Sequence, residues 1–309
     1  MRISKGMKSE ATAYGLGVVR SLMAAGAVLF LAALNLFAQI PPGRPNNDNE
    51  KREPFRLIGN IYWVGHTQVG SFLITTPQGH ILMDTTSTEE ALWVRENIEK
   101  LGFKVRDIKI ILNSHPHEEH MGGFAMFKEL TGAKIIVSAA TAAEMAVGGR
   151  TDFREDGSEQ YKPIKPDEII AHGGEVRLGG VILKAYITPG HTKGCTTWTT
   201  TVEDAGKKYN AVFFCGMAPA GTDRAPLLNN PKYPNMSEDF ANSFKLLKSL
   251  PCDVYLYARA PTIRLDQKQQ RLNRGERPNP YIDPAGCVEY ITEYEKRYLD
   301  QLAEERKAR

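Results

Sequence analysis

The chain has 309 residues, with 39 Lys and Arg against 36 Asp and Glu and a formal net charge of +3. A hydrophobic share of 42% with 24% charged residues excludes a disordered chain, and four cysteines are too few for a disulfide scaffold. The basic excess sits in the first 38 residues, where Arg2, Lys5, Lys8 and Arg20 face only Glu10; the remainder is formally neutral, which argues against a nucleic-acid binder.

Residues 21–38 carry no charge and follow Arg20 and the basic leader. A basic leader, an apolar core and small residues near its end describe a secretory signal over residues 1–38. An uncleaved N-terminal anchor is the alternative, because such a stretch lies at the lower edge of what spans a bilayer. Residues 39–54, QIPPGRPNNDNEKREP, read as a linker. On either reading residues 55–309 form the working domain, periplasmic or secreted. No membrane contact is expected after signal cleavage, and disulfides become possible.

Short β-branched and aromatic runs at 61–64 and 71–75, and HILMD at 80–84, read as strands. Residues 89–101 have helical spacing and end at Gly102. Ile108–Leu112 is a strand of the buried type. A helix at 121–130, a strand at Lys134–Val137 and a helix at Ala139–Val147 follow, then a polar loop at 151–168. The second half repeats the theme, with strands at 174–178, Val181–Ile187, 196–202 and 209–214. A helix at 237–250, a strand at 253–256, a basic loop at 265–280 and a helix at 288–307 complete the chain. Hairpins mixed with βα units predict two packed mixed sheets between helical layers.

The chemistry concentrates in Asn113-Ser114-His115-Pro116-His117-Glu118-Glu119-His120, directly after the strand Ile108–Leu112. Pro189-Gly190-His191-Thr192 likewise follows a strand. Four of the seven histidines lie in these two segments. Imidazoles and carboxylates that converge on one point are a ligand set suited to zinc.

H-x-H-x-[DE]-H after one strand and G-H-T after another resemble the metallo-β-lactamase superfamily. The stretches GNIYWVG, SFLITTPQGHILMDT, LGFKVRDIKIILNSHPHEEHMGG, TPGHTKGCTTW, LPCDVYL and NPYIDPAGCVEYITEYEKRYLDQL narrow the resemblance to the class B, subclass 3 metallo-β-lactamases, over about residues 54–306. The resemblance implies an α/β fold, an αββα sandwich of two mixed β-sheets flanked by helices. It implies a zinc-dependent hydrolase of a small molecule, a β-lactam, whose ring is opened by metal-bound hydroxide. Relatives of the glyoxalase-II or lactonase type carry an Asp after a later Gly, whereas this chain reads Phe214-Cys215-Gly216-Met217.

By the same resemblance, His115, His117 and His191 hold a first zinc, which leaves a position for the catalytic water. The second site departs from the pattern. Glu119 stands in the place of an Asp, with a role toward the catalytic water, and His120 follows it. No His follows His191, so Arg259 takes the place of the late histidine. A second zinc could be held in a rewired site of Glu119, His120 and Cys195, with Arg259 favouring the thiolate. Otherwise Cys195 is a small buried residue and the second site is empty or weak. Asp84 is expected to support a metal ligand. Thr197 is expected to contact a substrate carboxylate, with Arg259 or Lys193 supplying a cation. Cys252 and Cys287 match a disulfide pair, and Cys215 reads as a buried free thiol. His66 is expected in the cleft or on the surface, and His80 and His172 on the surface. Two other functions remain open: a zinc hydrolase of another ester, lactone or phosphoester, and a degenerate metal-binding protein without turnover.

Overall fold

Strand Ile108–Leu112 turns Ile110 and Leu112 toward the space between two sheets and Ile111 toward a helical layer; Ile108, before an irregularity in the pairing with the neighbouring strand, also joins the helical layer. The strands beside it do the same. Ile81 and Met83 face the inter-sheet core while Leu82 faces the helices, and Ile136 is divided in the same way from Ile135 and Val137. This is the two-residue period of a strand covered on both faces. A computed structural model describes residues 49–153, 160–219 and 225–308, all within the unit Asp48–Arg309. The expected export segment 1–38 and most of the linker lie outside these residues.

The first sheet runs in chain order: β1 (Phe55–Ile58), β2 (Ile61–Trp63), β3 (Phe72–Thr76), β4 (Gly79–Met83), β5 (Ile108–Leu112), β6 (Lys134–Val137) and β7 (Glu168–Ile169). Pairing is antiparallel from β1 to β4 and parallel from β4 to β7. The second sheet has the order β12-β11-β10-β9-β8, from β8 (Glu175–Leu178), β9 (Val181–Ile187), β10 (Thr196–Asp204), β11 (Lys207–Phe214) and β12 (Val254–Tyr257). Its first four strands are antiparallel, and β12 joins β11 in parallel.

Trp63, Phe72, Trp198, Phe213 and their neighbours fill the space between the sheets. The helices α1 (Ala91–Lys100), α2 (Glu118–Met121), α3 (Phe124–Thr131) and α4 (Ala139–Val147) belong to the layer of the first sheet, where Val94, Ile98, Phe124 and Phe127 are buried. Against the second sheet lie α5 (Met236–Leu247) and the long α7 (Pro284–Lys307), with the rings of Phe240 and Tyr298 stacked at 5.5 Å. The result is an αββα sandwich.

Three expectations are corrected. Residues 265–280 are not simply a solvated loop, because they contain the helix α6 (Leu265–Asn273). Its composition hides one buried edge, where Leu265 packs inward and the Lys268 ammonium sits 2.9 Å from the Asp283 carboxylate. His66 is buried with Nε2 at 3.0 Å from Glu90, and His80 is buried edge-on to Phe103.

The topology also sets where chemistry can occur. The parallel pair β4/β5 ends in Asp84 and in the segment from Asn113. Strand β9 runs in the same direction as β11 and β12, so the residues after all three gather at one end of the second sheet. Two hydrogen bonds lock the ends of the sheets together: Thr196 N donates to Ser114 O at 2.8 Å, and Trp198 Nε1 donates to Asn113 O at 2.9 Å.

A disulfide joins Cys252, just before β12, to Cys287 in α7, closing a separation of 35 residues. Closing such a loop restricts the unfolded chain. Replacing both cysteines by Ser should lower the unfolding free energy by about 2–4 kcal/mol in urea titrations without changing the bound metal; an unchanged denaturation midpoint would contradict this role.

Candidate metal centre

Asp84 follows β4 with a left-handed backbone, φ 58°, and is buried. Thr86, also buried, has φ 60°. A β-branched residue in that region costs energy, and such strain persists where surrounding contacts fix it. The contacts here are clear. Asp84 Oδ1 accepts from Ser114 N at 2.7 Å, while Oδ2 accepts from Ser114 Oγ at 2.8 Å and lies 2.9 Å from His120 Nδ1.

These bonds determine the histidine tautomers. The Ser114 hydroxyl donates to Asp84, so toward His115 Nδ1, 3.0 Å away, it accepts. The proton of His115 is then on Nδ1, and Nε2 presents its lone pair. A carboxylate beside His120 Nδ1 has the same effect on that ring. His191 Nδ1 lies 2.7 Å from Ala218 O, which can only accept, so its Nε2 also presents a lone pair. His117 is turned the other way: its Nε2 faces the Asp152 carboxylate at 3.4 Å, a charge contact outside hydrogen-bond geometry that favours the proton on Nε2 and the lone pair on Nδ1. Ligating histidines are oriented by such partners.

The imidazoles converge. Ring centroids are 4.6 Å apart for His115 and His117, 4.8 Å for His115 and His191, and 4.8 Å for His117 and His191. One ligand atom from each of these three residues lies within 4.8 Å of the others. His115 Nε2, both His117 ring nitrogens and His120 Nε2 are buried without a hydrogen-bond partner. Buried polar atoms are normally satisfied, so unpaired nitrogens aimed at one point suit a metal ion. Burial, then the neighbouring rings of His120, His117 and His191, then the Arg259 cation, push the His115 pKa well down and keep the ring in its ligand form. The donor set therefore fits one zinc ion at His115, His117 and His191.

Two glycines make room. Gly190, φ 143°, lies where a Cβ would meet the Phe240 ring at 2.6 Å. A Cβ on Gly216 would come within 2.6 Å of the His191 ring.

Beyond these three ligands the structure departs from expectation. Cys195 is bonded to Cys215, so neither a thiolate ligand nor a free thiol exists at these positions. Both cysteines lie just outside the β10/β11 ladder, Cys195 before Thr196 and Cys215 after Phe214, where the hairpin's open end brings their Cα atoms to 5.7 Å, within disulfide reach. Thr197 is fully buried, its hydroxyl 3.0 Å from Thr188 Oγ1 and accepting from Cys215 N, so it does not face a cleft. Lys193 is exposed and lies over the Tyr233 ring at 5.4 Å. Arg259 does not serve a thiolate. Its guanidinium forms an ion pair with Glu119, whose Oε1 lies 3.8 Å from His120 Nε2. Burial alone would raise the Glu119 pKa, but the Arg259 cation and then the histidines outweigh it and bring the carboxyl to about 2. A carboxylate this acidic is a weak proton acceptor near neutrality.

The sequence reading missed Ser114, Asp152 and the Ala218 carbonyl. A hydroxyl directly before a ligand histidine was a usable signal for Ser114, whereas the other two act across loops.

Comparison with known proteins agrees with this geometry. Residues 64–204 match the model of the family described as the metallo-beta-lactamase superfamily. The native FEZ-1 metallo-beta-lactamase of Legionella gormanii is 36% identical, with a TM-score of 0.81 over 84% of this chain and 98% of that one. The chain belongs to the metallo-beta-lactamase superfamily. BJP-1 of Bradyrhizobium japonicum, a subclass B3 metallo-beta-lactamase, is 35% identical, with a TM-score of 0.79 over 85% of this chain and 98% of that one. A hydroxyacylglutathione hydrolase of Hyphomonas neptunium is 27% identical over 188 residues, 60% of this chain and 59% of that protein. The chain spans between 38% and 60% of the length of the curated relatives it matches. In this member of a superfamily of hydrolases, His115, His117 and His191 form one candidate ligand group, and Glu119 of the neighbouring group is paired with Arg259.

If Asp152 sets the His117 tautomer, Asp152→Asn should weaken zinc binding by about 10- to 100-fold in chelator competition while the melting temperature holds; unchanged affinity would remove Asp152 from the centre. Cys195→Ser should leave zinc content unchanged, and denatured wild type should show no titratable thiol. Loss of zinc in that variant would restore the sulfur as a ligand.

Proposed function

We propose that the chain is a metal-dependent hydrolase that opens β-lactam rings. The reading is carried by the three oriented imidazoles of His115, His117 and His191 in a chain that aligns with metallo-beta-lactamases over nearly their whole length. A zinc ion held there would supply a Lewis acid for the lactam carbonyl and lower the pKa of a water toward neutrality.

The chain's own residues do the rest. His115 stays neutral, with its proton on Nδ1 toward Ser114, so its Nε2 is fixed before any substrate arrives. Asp84 holds His120 and the Ser114 loop in one arrangement, which limits the reorganisation needed during the reaction. The Glu119 carboxylate orients hydrogen-bond donors instead of removing protons. Arg259, whose side chain is 38% exposed, carries a planar guanidinium close to the imidazole cluster, and the carboxylate that β-lactams carry is the partner such a group recognises.

Export fits this reading. Both cysteine pairs of the described residues are disulfides, which persist outside the reducing cytosol. No helix among the described residues is long and apolar enough to cross a membrane.

Purified protein should turn over nitrocefin or a carbapenem, lose that activity with a chelator and regain it with zinc. His115→Ala should lose at least a hundredfold in kcat/KM. Turnover of a hydroxyacylglutathione thioester with none of any β-lactam would replace the substrate, and no turnover of either by zinc-loaded protein would end the catalytic reading.

A further inference from the structure

We propose that the second metal position expected from the resemblance is closed in this chain, and that the Arg259 guanidinium stands there as a fixed cation in place of a second ion. The inference rests on the first metal centre described above and on no particular substrate.

The donor atoms of the second position do not suffice. His115, Glu119 and His120 do bring ligand atoms within 4.8 Å of one another. His115, however, belongs to both groups and has one nitrogen to give. Its Nδ1 is engaged by Ser114 Oγ, so only Nε2 remains, and that atom completes the set with His117 and His191. Glu119 and His120 alone are left for a second ion. Among the described residues no other donor replaces the missing ones: Cys195 is locked to Cys215, the metal-ligand groups found there add only His115, Glu119 and His120, and no histidine follows His191 in the sequence. Two protein ligands fall short of the three or four that zinc sites use.

A cation is already present. Arg259 follows β12, its backbone bridges to Val69, and its guanidinium lies on Glu119 Oε1, the oxygen nearest His120 Nε2. A second ion drawn to Glu119 would have to displace this contact and then approach a neighbouring positive charge. Tyr257, at the end of β12, lies close enough to feel the Arg259 cation, and the Val69 bridge fixes the Arg259 backbone beside it. Like charges a few ångströms apart in a half-buried site repel strongly. The guanidinium thus neutralises Glu119 and fills the position with N–H donors that cannot be exchanged.

Metal stoichiometry tests this directly. Metal-free full-length protein is equilibrated with a tenfold excess of zinc, desalted, and its metal counted. Wild type should retain one equivalent. Arg259→His removes the fixed cation and supplies an imidazole, and should retain two. Arg259→Lys keeps the positive charge and should retain one, and circular dichroism confirms that each variant is folded. Two equivalents in wild type, or one in a folded Arg259→His protein, would overturn the proposal while leaving the first centre intact. No retained zinc in wild type would overturn both.

Discussion

The carboxylate of Asp84 is the constraint on which the centre depends. It is buried at the end of β4 and takes donors from two segments: the backbone and hydroxyl of Ser114, and the ring of His120. An uncompensated carboxylate at this depth would be costly. Three short hydrogen bonds offset that cost, and each one also places a chemical group. Through Ser114 the carboxylate sets His115, and directly it sets His120. The strained left-handed backbone at Asp84 is what turns a side chain at a strand end sideways into the neighbouring loop.

That arrangement orders only half of the centre. His191 arrives from the other sheet, and its position relative to His115 depends on how the two sheets are joined. The join is polar and local: Thr196 and Trp198 of β10 donate to the carbonyls of Ser114 and Asn113, immediately before His115. The Cys195–Cys215 disulfide then closes the hairpin whose first residues follow the His191 turn. Gly216 leaves space for the imidazole, and Ala218 O accepts its proton. Packing between the sheets supplies stability, but these few directed contacts set the distance between ligands that lie far apart in the chain.

The parts legible in the sequence were those encoded locally. Alternating apolar strands fixed the layers, and His115, His117 and His120 stood out because they are adjacent. Asp84 was visible as a polar residue that ends an apolar strand. What failed was whatever depended on pairing across distance. Cys195 looked like a ligand because its partner lies 20 residues away at the open end of the hairpin, not in any local motif. Thr197 looked accessible, but the alternation of β10 turns its hydroxyl into a buried network. Helix α6 was hidden by its charge, since only Leu265 and Lys268 face inward. The Glu119–Arg259 pair spans 140 positions; the sequence showed both substitutions but not that they compensate each other.

That compensation bears on how such a site can change. Lengthening an acidic ligand by one methylene, or replacing a histidine by arginine, would each weaken a metal position alone. Arginine without the carboxylate would leave a half-buried cation beside a metal centre. The carboxylate without a cation would leave a half-buried negative charge that only an ion could balance. Together they form a closed pair, with Arg259 and Glu119 side chains 38% and 32% exposed. The pair is neutral as a whole, yet its guanidinium still stands next to the first centre, with a character unlike that of a metal ion. A divalent ion attracts any lone pair that reaches it, whereas a guanidinium offers a planar fork of N–H donors with fixed directions. The altered site should therefore discriminate among anionic groups by shape, favouring a planar carboxylate, where a metal ion would discriminate mainly by charge.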